Sequence, residues 1–201
     1  MKLLTNTQGK VFVVSGNALE LSVPAGYQVL KGITFNNNVY FNTGIYLKGS
    51  DTLRFAFSAT AACYVFGCYH ATNSTNNYSL YVNSTNNAAY LRYDGSTYNS
   101  RVVFGDRYDV EITPTGSNGM LTDETWTAAE FTATNPFLIG TTSVGATSSK
   151  LQGALYGPVE VVGRGYYVPV KRTSDDVVGY YDLYSGQFLT NQGSGAPGIV
   201  E

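Results

Sequence analysis

The chain has 201 residues, a net charge of −2 and only 13% charged residues, with no basic run. It therefore lacks the positive stripe that nucleic-acid binding needs to neutralise phosphates, and no stretch approaches the roughly 20 apolar residues of a membrane helix. The length suits one domain that buries its own core. Its surface, rich in Gly, Tyr, Asn, Ser and Thr, is kept soluble by amides and hydroxyls rather than by charge, as on many extracellular and virion proteins.

In chain order, Met1-Lys2-Leu3-Leu4 starts like a signal peptide, but Thr5-Asn6-Thr7-Gln8-Gly9-Lys10 ends it before an apolar region of about 7–15 residues can form. The expectation is a protein made and kept in the cytoplasm. Val11-Phe12-Val13-Val14 is a compact apolar strand, and Leu19-Glu20-Leu21-Ser22-Val23 alternates. A two-stranded unit with an apolar face is marginal alone. Residues 1–22 are thus expected to dock, either on other chains as an anchor or oligomer contact, or on the following domain as an extra edge hairpin.

From residue 23 onward the pattern is period two, broken by glycine and asparagine at intervals typical of a sandwich. Leu53, Phe55 and Phe57 alternate with Arg54, Ala56 and Ser58; Tyr78, Leu80 and Val82 with Ser79, Tyr81 and Asn83; Tyr108, Val110 and Ile112 with Asp109, Glu111 and Thr113. Each set gives a strand with one buried and one wetter face. The pentapeptide Asn-Ser-Thr-Asn-Asn occurs at 73–77 and 83–87, and asparagine's tolerance of left-handed backbone marks both as turns around the strand between them. The sequons at Asn73, Asn77 and Asn83 follow from that turn chemistry.

Cys63 and Cys68 lie in one strand-like run, Ala62 to His70. Five positions apart, they are expected on opposite faces and about 16 Å apart at ~3.3 Å per residue. A disulfide needs Cα atoms within about 7 Å, so two free, buried thiols are expected.

Several segments carry a family likeness: Val23-Pro24-Ala25-Gly26-Tyr27 and Val39-Tyr40-Phe41-Asn42-Thr43-Gly44-Ile45 near the front, then Tyr166-Tyr167-Val168-Pro169-Val170, Val178-Gly179-Tyr180-Tyr181-Asp182, Gly186-Gln187-Phe188-Leu189-Thr190-Asn191 and Gly193-Ser194-Gly195 near the end. Over residues 23 to 195 the chain resembles the concanavalin-like (laminin-G-like) jelly-roll domains of tailed phages of gut bacteria and of those bacteria's surface proteins. The resemblance implies an all-β sandwich of jelly-roll type over 23–201; residues 1–22, read as N-terminal docking strands from their own apolar pattern, stand apart from it. It also implies a non-enzymatic virion component (head decoration, fibre or tail tip) that displays a lectin-like domain for glycan or host-surface binding. A homo-oligomer joined to other virion proteins through residues 1–22 is expected. The alternative is a cell-surface or secreted carbohydrate-binding module of a gut bacterium.

Catalysis is not expected. Jelly-roll glycosidases of the laminarinase type place Glu-x-Asp-x-x-Glu on one strand, and retaining chemistry needs two carboxyls about 5–5.5 Å apart. Asp109-Val110-Glu111 has the i, i+2 spacing but no third acid, and Asp123-Glu124 with Glu130 falls in a hairpin turn. A Cys63–Cys68–His70 metal triad is rejected because Cys63 would point away. Asp175-Asp176, with Asp182 nearby, is the densest acidic spot; calcium would use such oxygens, yet adjacent aspartates also form turns, and no metal or cofactor is expected. For sugar contact the candidates are the sole tryptophan, Trp126, together with Tyr98 and the sole histidine, His70.

Overall fold

The computed structural model describes residues 2–5, 11–15, 18–20, 23–36, 38–68, 75–120, 122–142 and 150–201, those before 23 through their backbone. His70 and the loop around it lie outside the described residues. In chain order the strands are β1 Lys2–Thr5, β2 Val11–Ser15, β3 Ala18–Glu20, β4 Tyr27–Val29, β5 Gly32–Asn36, β6 Phe41–Asn42, β7 Leu53–Ala59, β8 Cys63–Gly67, β9 Tyr78–Asn83 and β10 Ala88–Tyr93. They continue with β11 Ser96–Arg101, β12 Tyr108–Thr113, β13 Gly116–Asn118, β14 Glu124–Thr125, β15 Leu138–Ile139, β16 Gln152–Val161, β17 Gly165–Arg172, β18 Val178–Asp182, β19 Phe188–Thr190 and β20 Gly198–Ile199.

No helix occurs among the described residues, and the expected all-β sandwich is the observed fold. The smaller sheet runs β11-β10-β9-β8-β15-β6; the larger runs β14-β13-β12-β7-β16-β17-β18-β19, with β5, β20 and β4 attached. The two sheets share one core. Phe55 of β7 meets Phe66 of β8 edge-on at 5.2 Å, and Phe66 meets Phe137 at 5.7 Å. The alternating sets end where their period places them: Leu53, Phe55, Phe57, Tyr78, Leu80, Val82, Tyr108, Val110 and Ile112 are all buried. Asn76 and Asn87 adopt positive φ, and Asp94-Gly95, both left-handed, close the β10–β11 hairpin.

The N-terminal segment has three strands where two were expected. The signal-like start, Lys2–Thr5, pairs with β2 as its third member, and β1-β2-β3 form a sheet of their own.

Two irregularities decide which side chains reach each face of the sandwich. In β8 the register against β9 shifts between Tyr64 and Phe66, so Val65 is an extra residue. Cys63 opposes Val82, Phe66 opposes Leu80, and the Cys68 NH donates to the Tyr78 carbonyl. The bulge reverses the strand's parity. Cys63 and Cys68 therefore both face the core, which corrects the expectation of opposite faces; both are free and fully buried, as expected.

The second irregularity splits the larger sheet. In β16, Tyr156 pairs with Ala56 and Glu160 with Arg54, so two extra residues lie between them; Gly157 takes φ +61° and Pro158 offers no NH. Beyond that point β16 pairs with β17, before it with β5. The chain from β4 to β5 bridges the fork: the Leu30 NH donates to the Pro169 carbonyl, and the Gly157 NH to the Lys31 carbonyl. The opening and closing segments thus complete one sheet, with β4 on β17 and β20 on β5.

Candidate functional site

The outer face of the larger sheet carries a row of polar side chains across five strands. Register aligns Asn118 of β13 with Glu111 of β12, Glu111 with Arg54 of β7, Arg54 with Glu160 of β16, and Glu160 with Tyr166 of β17. Directly paired residues share a face, so all five side chains point away from the core. One pleat along, Asp109, Ala56 and Tyr156 form a second row. The small Ala56 side chain lowers the floor between them, and an open groove of about 440 Å³ lies between the two rows.

The groove is charged but internally paired. Arg54 Nε donates to Glu111 at 2.7 Å and Nη1 to Glu160 at 3.4 Å, while Asn118 Nδ2 reaches the other oxygen of Glu111 at 3.4 Å. Arg107 pairs with Asp109 at 2.7 Å and lies over the Tyr156 ring, 4.9 Å from its centre. The Tyr156 and Ser58 hydroxyls share a hydrogen bond at 3.0 Å. The Arg54 guanidinium, helped by Asn118, holds the Glu111 carboxyl below its ordinary range; Glu111 in turn raises Arg54. Glu111 is therefore an ionised acceptor at neutral pH, the opposite of what a general acid requires. Three carboxylates, two guanidinium forks, an amide and phenol rings line one concavity. Such a set can exchange hydrogen bonds with vicinal hydroxyls while an aromatic face lies against a sugar ring.

The aromatics singled out from the sequence sit elsewhere. Tyr98 opposes Leu91 on the inward side of β11, and Trp126 follows β14. Their rings lie 4.8 Å apart, and Trp126 also packs on Tyr93 at 5.5 Å. Trp126 is only 9% exposed, with its indole nitrogen buried, and together the pair seals the sandwich where the edges of the two sheets meet. Ser100 Oγ and the Arg101 NH tie that edge to Thr122 at 2.8 and 3.0 Å.

The acidic spots are committed as well. Asp175 pairs with Arg172 at 2.6 Å and Asp176 with Lys171 at 2.9 Å. The buried Asp182 carboxylate accepts the NH groups of Tyr166, Tyr184 and Ser185 and the Ser185 hydroxyl, so it caps the turn from Leu183 to Gln187. Among the described residues no cluster of His, Cys, Asp and Glu is placed to hold a metal ion.

Of the groove, only Asp109 and Glu111 stood out in the sequence, as an insufficient acid pair. Arg54 and Glu160 lie 106 positions apart and meet only through the two-residue bulge of β16. Tyr156 is one of 17 tyrosines and no local signal marks it, while Tyr166 stood out only within a segment of family likeness and not as a site residue. No family model, curated protein or solved structure matches the chain.

Proposed function

We propose that this protein is a non-enzymatic adhesion module that binds glycan in the groove on the outer face of its larger sheet, in the virion setting that the sequence resemblance implies. The row Asn118–Glu111–Arg54–Glu160–Tyr166 carries the reading. Its two acids are both paired with Arg54, which fixes them as hydrogen-bond acceptors, and the same guanidinium holds the Glu111 carboxyl below its ordinary range, against a role as proton donor. Residues 1–22 are the segment for attachment to a particle or to further copies of the chain.

Titration of the full chain with a panel of neutral oligosaccharides tests this reading. Binding by at least one of them is expected, without release of reducing ends. Asn118→Ala and Tyr166→Ala should each weaken it about tenfold, the effect of losing one hydrogen bond or one ring contact in a small site. Hydrolysis that disappears in Glu111→Gln, or binding indifferent to both alanine variants, would refute the proposal.

A further inference from the structure

On the opposite side of the molecule, the outer face of the smaller sheet carries a strip of tyrosines. Register aligns Tyr64 of β8 with Tyr81 of β9, Tyr81 with Tyr90 of β10, and Tyr90 with Asn99 of β11. Ring centres are 4.7 Å apart for Tyr64 and Tyr81, and 6.5 Å for Tyr81 and Tyr90. The Val65 bulge makes this strip: it lets Tyr64 face outward beside Tyr81 while Cys63 and Phe66 both face the core. All three rings are half-exposed, and the Asn86 amide donates to the Tyr90 hydroxyl, fixing that ring.

The charge on this face runs against that of the chain. Arg92, opposite Ser79 and Thr97, lies one pleat to one side of the tyrosine row; Arg101, opposite Ala88, lies one pleat to the other. In the described residues of β8 to β11 and their connecting turns, Asp94 is the single acid, and its carboxylate accepts the Asn76 NH in the hairpin turn. A net positive aromatic strip therefore stands on a chain of net charge −2. Three adjacent strands at about 4.8 Å spacing make the strip about 10 Å across, room for a short run of sugar rings.

We infer that the Tyr64–Tyr81–Tyr90 strip is a second glycan-binding surface, distinct from the groove, and that it takes acidic polysaccharide. Sugar rings lie against the phenol faces while Arg92 and Arg101 meet carboxylate groups from either side. Two guanidinium groups release too few counterions to hold a nucleic-acid backbone, whereas ring faces paired with flanking charges suit a polymer of uronic acids. The two sites occupy opposite outer faces of the sandwich, so one molecule can bridge two chains.

The test is affinity electrophoresis and titration of the full chain with polygalacturonate and hyaluronan, beside neutral dextran and single-stranded DNA. Retardation by the uronate polymers, weakened by salt and absent with dextran, is expected. Tyr81→Ala and Arg101→Gln should each reduce it about tenfold; Tyr81→Phe, which keeps the ring, should retain it, and so should Asn118→Ala in the groove. Arg101 is exposed, so its variant reports even if Tyr81→Ala fails to fold. No uronate binding, equal binding to dextran, tighter binding of DNA, or indifference to Arg101→Gln would each overturn the inference. Because Asn118→Ala affects the groove alone, loss of one site is distinguishable from loss of the other.

Discussion

The side-chain oxygen of Asn191 accepts the backbone NH of Tyr40 at 3.0 Å, joining segments 151 residues apart. The same oxygen accepts the Gly193 NH at 2.9 Å, and the amide nitrogen donates to the carbonyls of Gly193 and Gly195. Gly193 has no alternative, since a Cβ there would collide with the Asn38 carbonyl oxygen. The Asn191-x-Gly-x-Gly segment is thus a clasp that fastens the end of the domain to its beginning.

Asn191→Ala deletes all four hydrogen bonds at a half-buried site and should cost roughly 2–3 kcal/mol, or about 5–10 °C in Tm for a chain of this size. Asn191→Asp keeps the oxygen that accepts the Tyr40 and Gly193 NH groups but turns a carboxylate oxygen towards two carbonyls, so it should also destabilise. Chemical denaturation of both variants is the measurement; wild-type stability in Asn191→Asp would show that the amide donors contribute nothing.

Buried tyrosines should respond to loss of their hydroxyls with opposite signs. Tyr180 is fully buried, its hydroxyl has no hydrogen-bond partner among the described residues, and burial pushes its pKa up. Tyr180→Phe removes an unsatisfied polar group and should leave stability unchanged or raise it by about 1 kcal/mol. Tyr93 donates to the Gly49 carbonyl at 2.8 Å and accepts the Ala129 NH at 3.1 Å. Tyr93→Phe should cost about 1–3 kcal/mol, because it orphans groups that it now satisfies. Equal effects in the two variants would contradict this assignment.

Burial pushes the Cys63 thiol up to about 11 and Cys68 up to about 12. At neutral pH iodoacetamide should therefore label neither at an appreciable rate in the native protein, and both once it is unfolded; mass spectrometry reads the count. Linkage adds a pH dependence. In the folded chain these thiols, and the phenols of Tyr78 and Tyr180, hold their protons above the pH at which the unfolded chain releases them. Their contribution is complete below about pH 8.5 and is lost progressively as pH rises towards 12. Tm should stay level from pH 7 to 8 and fall steeply above about pH 9–10. A flat Tm up to pH 11 would mean that these groups titrate freely in the native state.

Deleting residues 1–22 should leave a soluble sandwich with nearly unchanged Tm and a smaller oligomeric state, because β1-β2-β3 hydrogen-bond with one another and leave the ladders of the two main sheets intact. Light scattering and calorimetry decide it. An unchanged oligomer with a collapsed Tm would mean that this segment completes the domain's own core.

The inward faces of β7, β9 and β12 were legible residue by residue, because side-chain direction in a regular strand depends only on sequence parity, whereas Ala56, Ser58 and Ser79 of the expected wetter faces are buried as well. The turns at Asn76 and Asn87 were legible too, since tolerance of positive φ belongs to the residue itself. Parity fails where a strand bulges, and a bulge answers to the partner strand. Val65 turned Cys63 into the core and Tyr64 outward, and Gly157-Pro158 delivered Glu160, where an unbroken ladder would have put Pro158, beside Arg54. Trp126 drew notice as the sole tryptophan, yet its place at the sheet edges makes it a seal. Both candidate surfaces are rows across strands, assembled by register between segments distant in the chain. The sequence alone determined which residues could be strand, turn or core. Which of them stand side by side in water was decided only when pairing and bulges set the register, because that choice is made by contacts between strands and by nothing within one of them.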